Sequence, residues 1–124
     1  MRPRVLLIED DASQATFIQR KLELASFEVT ACQDVESGLR LSEQQKFALA
    51  IVDLDLDGQS GLDFVRGLTA AQRKMNVILH SVDCSFASVK EGLNIGVFAY
   101  VETRPIGRRN WATDRKAKWR RSPM

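Results

Sequence analysis

Apolar residues along the 124-residue chain gather in five short runs: "VLLI" (5–8), "FEVTA" (27–31), "FALAIV" (47–52), "NVILH" (76–80) and "VFAYV" (97–101). Four are nearly continuous, the pattern of strands covered on both faces of a parallel sheet. "FEVTA" alternates apolar and polar positions instead, which suits an edge strand. Helical patterns fill the intervals. Ala15, Ile18, Leu22 and Ala25 share one helical face. Val35 and Leu39 belong to a second helix with Asp34 as its N-cap. Ser60 with Asp63 three residues on is the acidic form of a capping box, and Leu62, Val65 and Leu68 supply that helix's buried stripe. Phe86, Val89 and Leu93 mark a fourth helix, which Gly96 would close as a left-handed C-cap.

Strands alternating with helices at this spacing predict an α/β domain, a doubly wound parallel sheet with helices on both faces and right-handed crossovers. Ligands of such sheets bind beyond the carboxyl ends of the strands. Those ends are acidic here: the first run leads into Glu9, Asp10 and Asp11, and the third into Asp53, Asp55 and Asp57. The fourth run ends at Ser81, and the fifth leads into Glu102, Thr103, Arg104 and Pro105. Crowded carboxylates raise one another's pKa values and oppose folding unless a cation joins them. Mg²⁺ suits such a rim because it takes oxygen ligands and keeps several waters. Asp11 and Asp57 also read as a helix N-cap and a solvated loop.

Composition changes the picture at one end only. The formal net charge of +2 hides a division. Residues 1–102 carry 10 basic and 15 acidic side chains, a net of −5, whereas residues 103–124 carry 8 basic and 1 acidic, a net of +7. The body is one domain, 1–102, and 103–124 is a basic tail, a degenerate fifth helix or a disordered segment, with at best a thin stripe from Trp111 to Trp119. An altered reading frame after residue 102 would also produce such a tail. Nucleic-acid binding by the tail is not expected, because 22 residues are too few for a helix-turn-helix unit with its own core. No run is long enough to span a membrane, and the N-terminus lacks signal-peptide features, so a cytoplasmic location is expected. Cys32 and Cys84 have no metal-ligand spacing and read as reduced thiols. His80 reads as a packed strand residue.

The stretch "DLDLDG" opens like a calcium-binding loop, but the twelfth position, which should be a glutamate, is Phe64. "DLDG" after an apolar strand, with "VILHS" later, also resembles motifs of the haloacid dehalogenase phosphatases. That family places its acidic metal-binding pair late in the chain, and here the pair comes first. Four motifs in order resemble the response-regulator receiver family of two-component signalling: "VLLIEDD", "IVDLDLDGQSGLDF", "VILHS" and "GVFAYVE", spanning Arg4 to about Thr103. The interval from Asp53 to Gly61 matches the family's interval from phosphoacceptor to the glycine before the third helix.

The resemblance implies a five-stranded sheet of flavodoxin-like order 2-1-3-4-5. It makes Asp53 the phosphoacceptor, with Mg²⁺ held by Glu9, Asp10, Asp53 and the backbone carbonyl of Asp55, whose side chain receives no task. Ser81 matches the hydroxyl that bonds the phosphoryl group, and Tyr100 the switch aromatic. The family's lysine would fall at Thr103, and Arg104, one place later, stands as its substitute. Asp57 stands where the family often has proline. Expected partners are a histidine kinase or phosphotransfer protein and a downstream protein, with homodimer formation left open. The expected activity is relay switching without enzymatic turnover. The alternatives are a binding module that has lost the switch and a small Mg²⁺-dependent phosphatase.

Overall fold

The computed structural model describes residues 2–81, 97, 99–102 and 120–121. Strand β1 (Arg4–Ile8) leads to helix α1 (Ala12–Leu24), β2 (Glu28–Cys32), α2 (Val35–Gln44) and β3 (Leu49–Asp53). A two-strand hairpin follows, β4 (Asp55–Leu56) and β5 (Gln59–Ser60), then α3 (Gly61–Gly67), a 3₁₀ turn at Gln72–Lys74, β6 (Asn76–Ser81), β7 (Ala99–Glu102) and β8 (Arg120–Arg121). The main sheet has the order β2-β1-β3-β6-β7-β8. Because the hairpin takes the labels β4 and β5, the first five of these strands are the expected 2-1-3-4-5, parallel throughout.

The apolar runs form strands for the reason their pattern gives. Val5, Leu6, Leu7 and Ile8 are all buried, so β1 is covered on both faces at the centre of the sheet. Among the described residues β2 pairs with β1 alone and keeps the half-exposed, alternating character of an edge. Phe64, Val65 and Leu62 of α3 pack with Leu6, Ile8, Val52 and Leu79 in the main core.

Local chemistry starts each described helix. Asp11 Oδ1 accepts from the Gln14 N–H at 3.0 Å and caps α1; Asp34 Oδ1 accepts from the Ser37 N–H at 2.7 Å and caps α2. At α3 the Ser60 hydroxyl accepts from the Leu62 N–H, and Asp63 Oδ2 accepts in return from the Ser60 N–H, closing the expected box. Helix α1 ends at Leu24, one residue short of the predicted stripe, with Ala25 as its C-cap and Ser26 at a left-handed φ of 71°. That conformation usually falls to glycine or asparagine.

Two expectations meet the structure differently at the carboxyl end of the chain. The fourth helix, from Phe86 to Gly96, lies outside the described residues, as do residues 103–119 of the basic tail. Arg120–Arg121 run antiparallel to β7, Arg121 opposite Val101 and Arg120 opposite Glu102, and extend the sheet to a sixth strand. Helical periodicity carries no information about two residues that gain their structure from a neighbouring strand.

Candidate functional site

Strands β1, β3 and β6 lie side by side, and their registers decide what meets at their carboxyl ends. Ile8 stands opposite Val52, and Asp53 stands opposite His80. Paired residues of a parallel sheet direct their side chains to the same face, so the residue after Ile8, Glu9, joins Asp53 and His80 in one row. The ladder runs on past the assigned ends, with the Glu9 N–H bonded to the Cys32 carbonyl at 3.0 Å and the Leu54 N–H to the His80 carbonyl at 2.8 Å. Glu9, His80 and Ser81 are 1%, 3% and 1% exposed, and Asp53 is 9% exposed. Four polar side chains are therefore buried at one rim.

The loop after β3 is folded over this row. Asp53 Oδ1 accepts from the Asp55 N–H at 3.0 Å, which fixes the carboxylate against its own loop. Asp10 Oδ2 accepts from the Asp57 N–H at 2.9 Å and ties the loop to the end of β1. Gly58 turns the hairpin with a φ of 71°, which glycine adopts without steric cost. At Gly61 the requirement is space: a Cβ there would run into the Asp53 carbonyl oxygen and stand 3.0 Å from Val52 Cγ1. The Gly61 N–H bonds the Leu54 carbonyl at 2.9 Å, so the glycine lets α3 begin directly against the backbone that carries Asp53.

Burial sets the electrostatics. The Glu9 carboxyl is pushed up to about 9 by burial and then by Asp53 beside it. Asp53 is also raised, by burial first and by the charges of Asp10 and Asp55, against the stabilising hydrogen bonds from Glu9 and the Asp55 N–H. Burial lowers His80 to about 4, so its imidazole is neutral at neutral pH. Glu9 Oε2 accepts from the Asp11 N–H at 3.1 Å, but Glu9 Oε1 and His80 Nε2 are buried without a hydrogen bond. Two crowded carboxyls with an orphaned oxygen are what a divalent cation relieves, so the residues present fit one.

Of the residues singled out in the sequence, Glu9, Asp10, Asp53 and Asp55 come together at this rim. Ser81 joins them through an unexpected partner: its hydroxyl donates to Asp55 Oδ2 at 2.7 Å. The Asp55 side chain, to which no task was given, thus holds the residue expected to bond a phosphoryl group. Tyr100 lies in β7 opposite Leu79, with its side chain outside what is described; Thr103 and Arg104 are outside the described residues. His80 is a packed strand residue, as expected, and it packs into the acid row: Glu9, Asp53 and His80 offer ligand atoms within 4.8 Å of one another. Aligning the carboxyl ends of the third and fourth apolar runs would have set His80 beside Asp53. Cys32 stays a free, half-buried thiol, which burial pushes up to about 11.

An acid row beyond the ends of β1 and β3 in a 2-1-3-4-5 sheet narrows the choice of family, and comparison with known proteins decides it. The sequence profile described as "Response regulator receiver domain" matches residues 5–110. The chain belongs to the response regulator receiver family. Receivers of this kind are signalling modules of two-component systems. Among curated relatives, the uncharacterized transcriptional regulatory protein YkoG of Bacillus subtilis is 32% identical over 102 residues, covering 82% of this chain and 44% of that protein. The cell cycle response regulator CtrA of Brucella ovis is 31% identical over 103 residues, covering 83% of this chain and 44% of that protein. The receiver therefore spans less than half the length of these relatives. Among solved structures, a CheY-like receiver domain protein from Methanospirillum hungatei JF-1 superposes with a TM-score of 0.78 at 24% identity, over 86% of this chain and 85% of that one. A response regulator from Burkholderia pseudomallei, solved with a phosphorylated aspartic acid and a calcium ion, superposes with a TM-score of 0.76 at 24% identity, over 87% of this chain and 61% of that one. At these identities the structural likeness establishes the shared fold.

Proposed function

We propose that Asp53 takes a phosphoryl group from a phosphohistidine of a histidine kinase or phosphotransfer protein, and that the receiver then signals through contacts with a downstream protein. The observation that carries this reading is the placement of Asp53: the end of a central strand, in a row of buried polar groups, with Oδ1 held by the Asp55 N–H. Asp53 acts as a carboxylate nucleophile and needs no general base, and a cation at this rim would favour its ionised form against the burial that raises it. In the transfer one Asp53 oxygen bonds to phosphorus and the P–N bond breaks. Its electron pair stays on the imidazole nitrogen, which takes up a proton from solvent.

A divalent cation, Mg²⁺ in this reading, would neutralise the repulsion between the carboxylates and the phosphoryl oxygens. Glu9, Asp10, Asp53 and the Asp55 carbonyl would hold it, and the raised carboxyls at this rim support that set. The calcium ion and phosphorylated aspartic acid of the Burkholderia relative support the same reading. The Ser81 hydroxyl would leave Asp55 Oδ2 for a phosphoryl oxygen, with Tyr100 following as the switch aromatic. Thr103 or Arg104 would face the phosphoryl group where the family has lysine. The protein acts as a relay without enzymatic turnover, in the cytoplasm. No helix among the described residues is long and apolar enough to cross a membrane.

The test is intact mass after incubation with acetyl phosphate, with and without Mg²⁺, on the wild type and Asp53→Asn. One added phosphoryl group that requires Mg²⁺ and vanishes in Asp53→Asn is expected. A folded wild type that stays unmodified would convert the protein into a binding module that kept the fold and lost the switch.

A further inference from the structure

We propose that Glu9, Asp53 and His80 form a mixed nitrogen and oxygen site for a first-row transition-metal ion, Zn²⁺ in the first place, distinct in ligand set from the all-oxygen Mg²⁺ site. The starting point is a pair of atoms that stability alone does not explain. Glu9 Oε1 and His80 Nε2 are 3.5 Å apart, on side chains 0% and 4% exposed, and neither has a hydrogen-bond partner. Leaving a buried polar atom unsatisfied costs on the order of 1–3 kcal/mol. An apolar residue at position 80 would remove that cost.

An electron-pair acceptor placed between the two atoms would satisfy both. Ligand atoms around a tetrahedral Zn²⁺ at about 2.0–2.1 Å stand roughly 3.3 Å from one another. The separation of Glu9 Oε1 and His80 Nε2 is close to that edge. Asp53 supplies a third ligand atom, all three lying within 4.8 Å of one another. Three protein ligands with an open position are a common arrangement for zinc.

The imidazole decides which ion is preferred. Carboxylates, carbonyls and water suit Mg²⁺, whereas imidazole suits Zn²⁺, Ni²⁺ and Cu²⁺, whose affinities for nitrogen and oxygen sites exceed that of Mn²⁺. His80 is the single histidine of the chain, so this preference rests on one side chain. The binding claim does not depend on phosphoryl transfer. Its consequence does: an ion held by Asp53 and His80 would occupy the proposed nucleophile and compete with Mg²⁺.

The experiment uses the full chain with both cysteines alkylated, no phosphodonor, and Zn²⁺ or Mg²⁺ alone as the titrant. Calorimetry should give one Zn²⁺ site, weakened roughly tenfold or more in His80→Val, since even second-shell losses cost 10–100-fold. Mg²⁺ affinity should not fall in that variant. Because the chain has one histidine, nitrogen NMR of the wild type reads the same event without mutation. Zn²⁺ should move the Nε2 resonance of His80 to the metal-bound range. A wild type that binds no Zn²⁺, or binds it with the Nε2 resonance unmoved, overturns the proposal, as does equal affinity in a folded His80→Val. A phosphorylation experiment that fails while Zn²⁺ binds His80 would overturn the proposed function alone.

Discussion

The two rims of one parallel sheet differ in how they treat polar groups. At the amino rim the Arg4 guanidinium meets Glu28 at 3.1 Å with both side chains about half exposed, and it also donates to Gln45 Oε1 at 3.3 Å. The backbone there is paired from strand to strand, the Ala48 N–H to the Arg4 carbonyl and the Asn76 N–H to the Ala48 carbonyl. A groove of 620 Å³ opens at this rim, lined by Gln45, Lys46, Phe47 and Met75 among others, and no member of the acid row borders it. At the carboxyl rim Glu9, Asp53, His80 and Ser81 are buried, the acids are crowded, and two atoms lack partners. The useful signal is the polar free energy left unresolved by the protein itself, which a ligand can resolve.

The sharpest way to break the comparison is to disturb the backbone beneath each rim. Gly61→Ala places a methyl group against the Asp53 carbonyl oxygen, and neither partner can rotate away. Urea denaturation should show a loss of about 1–3 kcal/mol, the usual range for overpacking. A cost no larger than that of a surface substitution would mean that α3 does not hold Asp53 in place.

A smaller effect separates the rims by pH. In chelator, folded Glu9 keeps its proton up to about 9, whereas the unfolded chain gives it up near 4.5. The folded state binds more protons in that window, so this contribution is complete below 4.5 and is lost as pH rises through 9. His80 acts in the opposite sense at lower pH: its stability contribution is present above 6.5 and is lost as pH falls toward 4. Between 6.5 and 9 the carboxyl pair therefore sets the sign. The melting temperature of metal-free protein should decline across this interval. Asp53→Asn removes the neighbouring charge and should both raise the melting temperature and flatten the decline. An identical slope in wild type and Asp53→Asn would contradict the coupled pair.

The smallest effect is expected at the amino rim. Arg4→Ala removes an exposed ion pair and should change stability by about 0–1 kcal/mol, less still at high salt. A larger loss in the same urea measurement would show that the solvated rim holds the sheet together more than its exposure suggests.

Much of this was legible along the chain because the causes are local. Asp11, Asp34 and the Ser60–Asp63 pair cap helices through bonds to residues within three positions, which spacing alone discloses. The run "VLLI" is buried on both faces, and "FEVTA" sits at an edge, as continuous and alternating patterns imply. The left-handed end of α1 was not legible, since Ser26 carries no glycine signal. Nor was the pairing of Arg120–Arg121 with β7, whose partner lies far away in sequence.

By itself the sequence determined the alternation of strands and helices, the helix starts, the acidity of one sheet rim and the family motifs that lead to Asp53. Only the tertiary structure decided what each polar group faces. His80 joins Glu9 and Asp53, and the Asp55 carboxylate takes the Ser81 hydroxyl, through neighbours 26 or more positions apart. The physical reason is that helix caps and periodicity arise within one segment of chain. Lateral register between strands is set by the whole core, and a shift of one residue would turn these side chains to the other face.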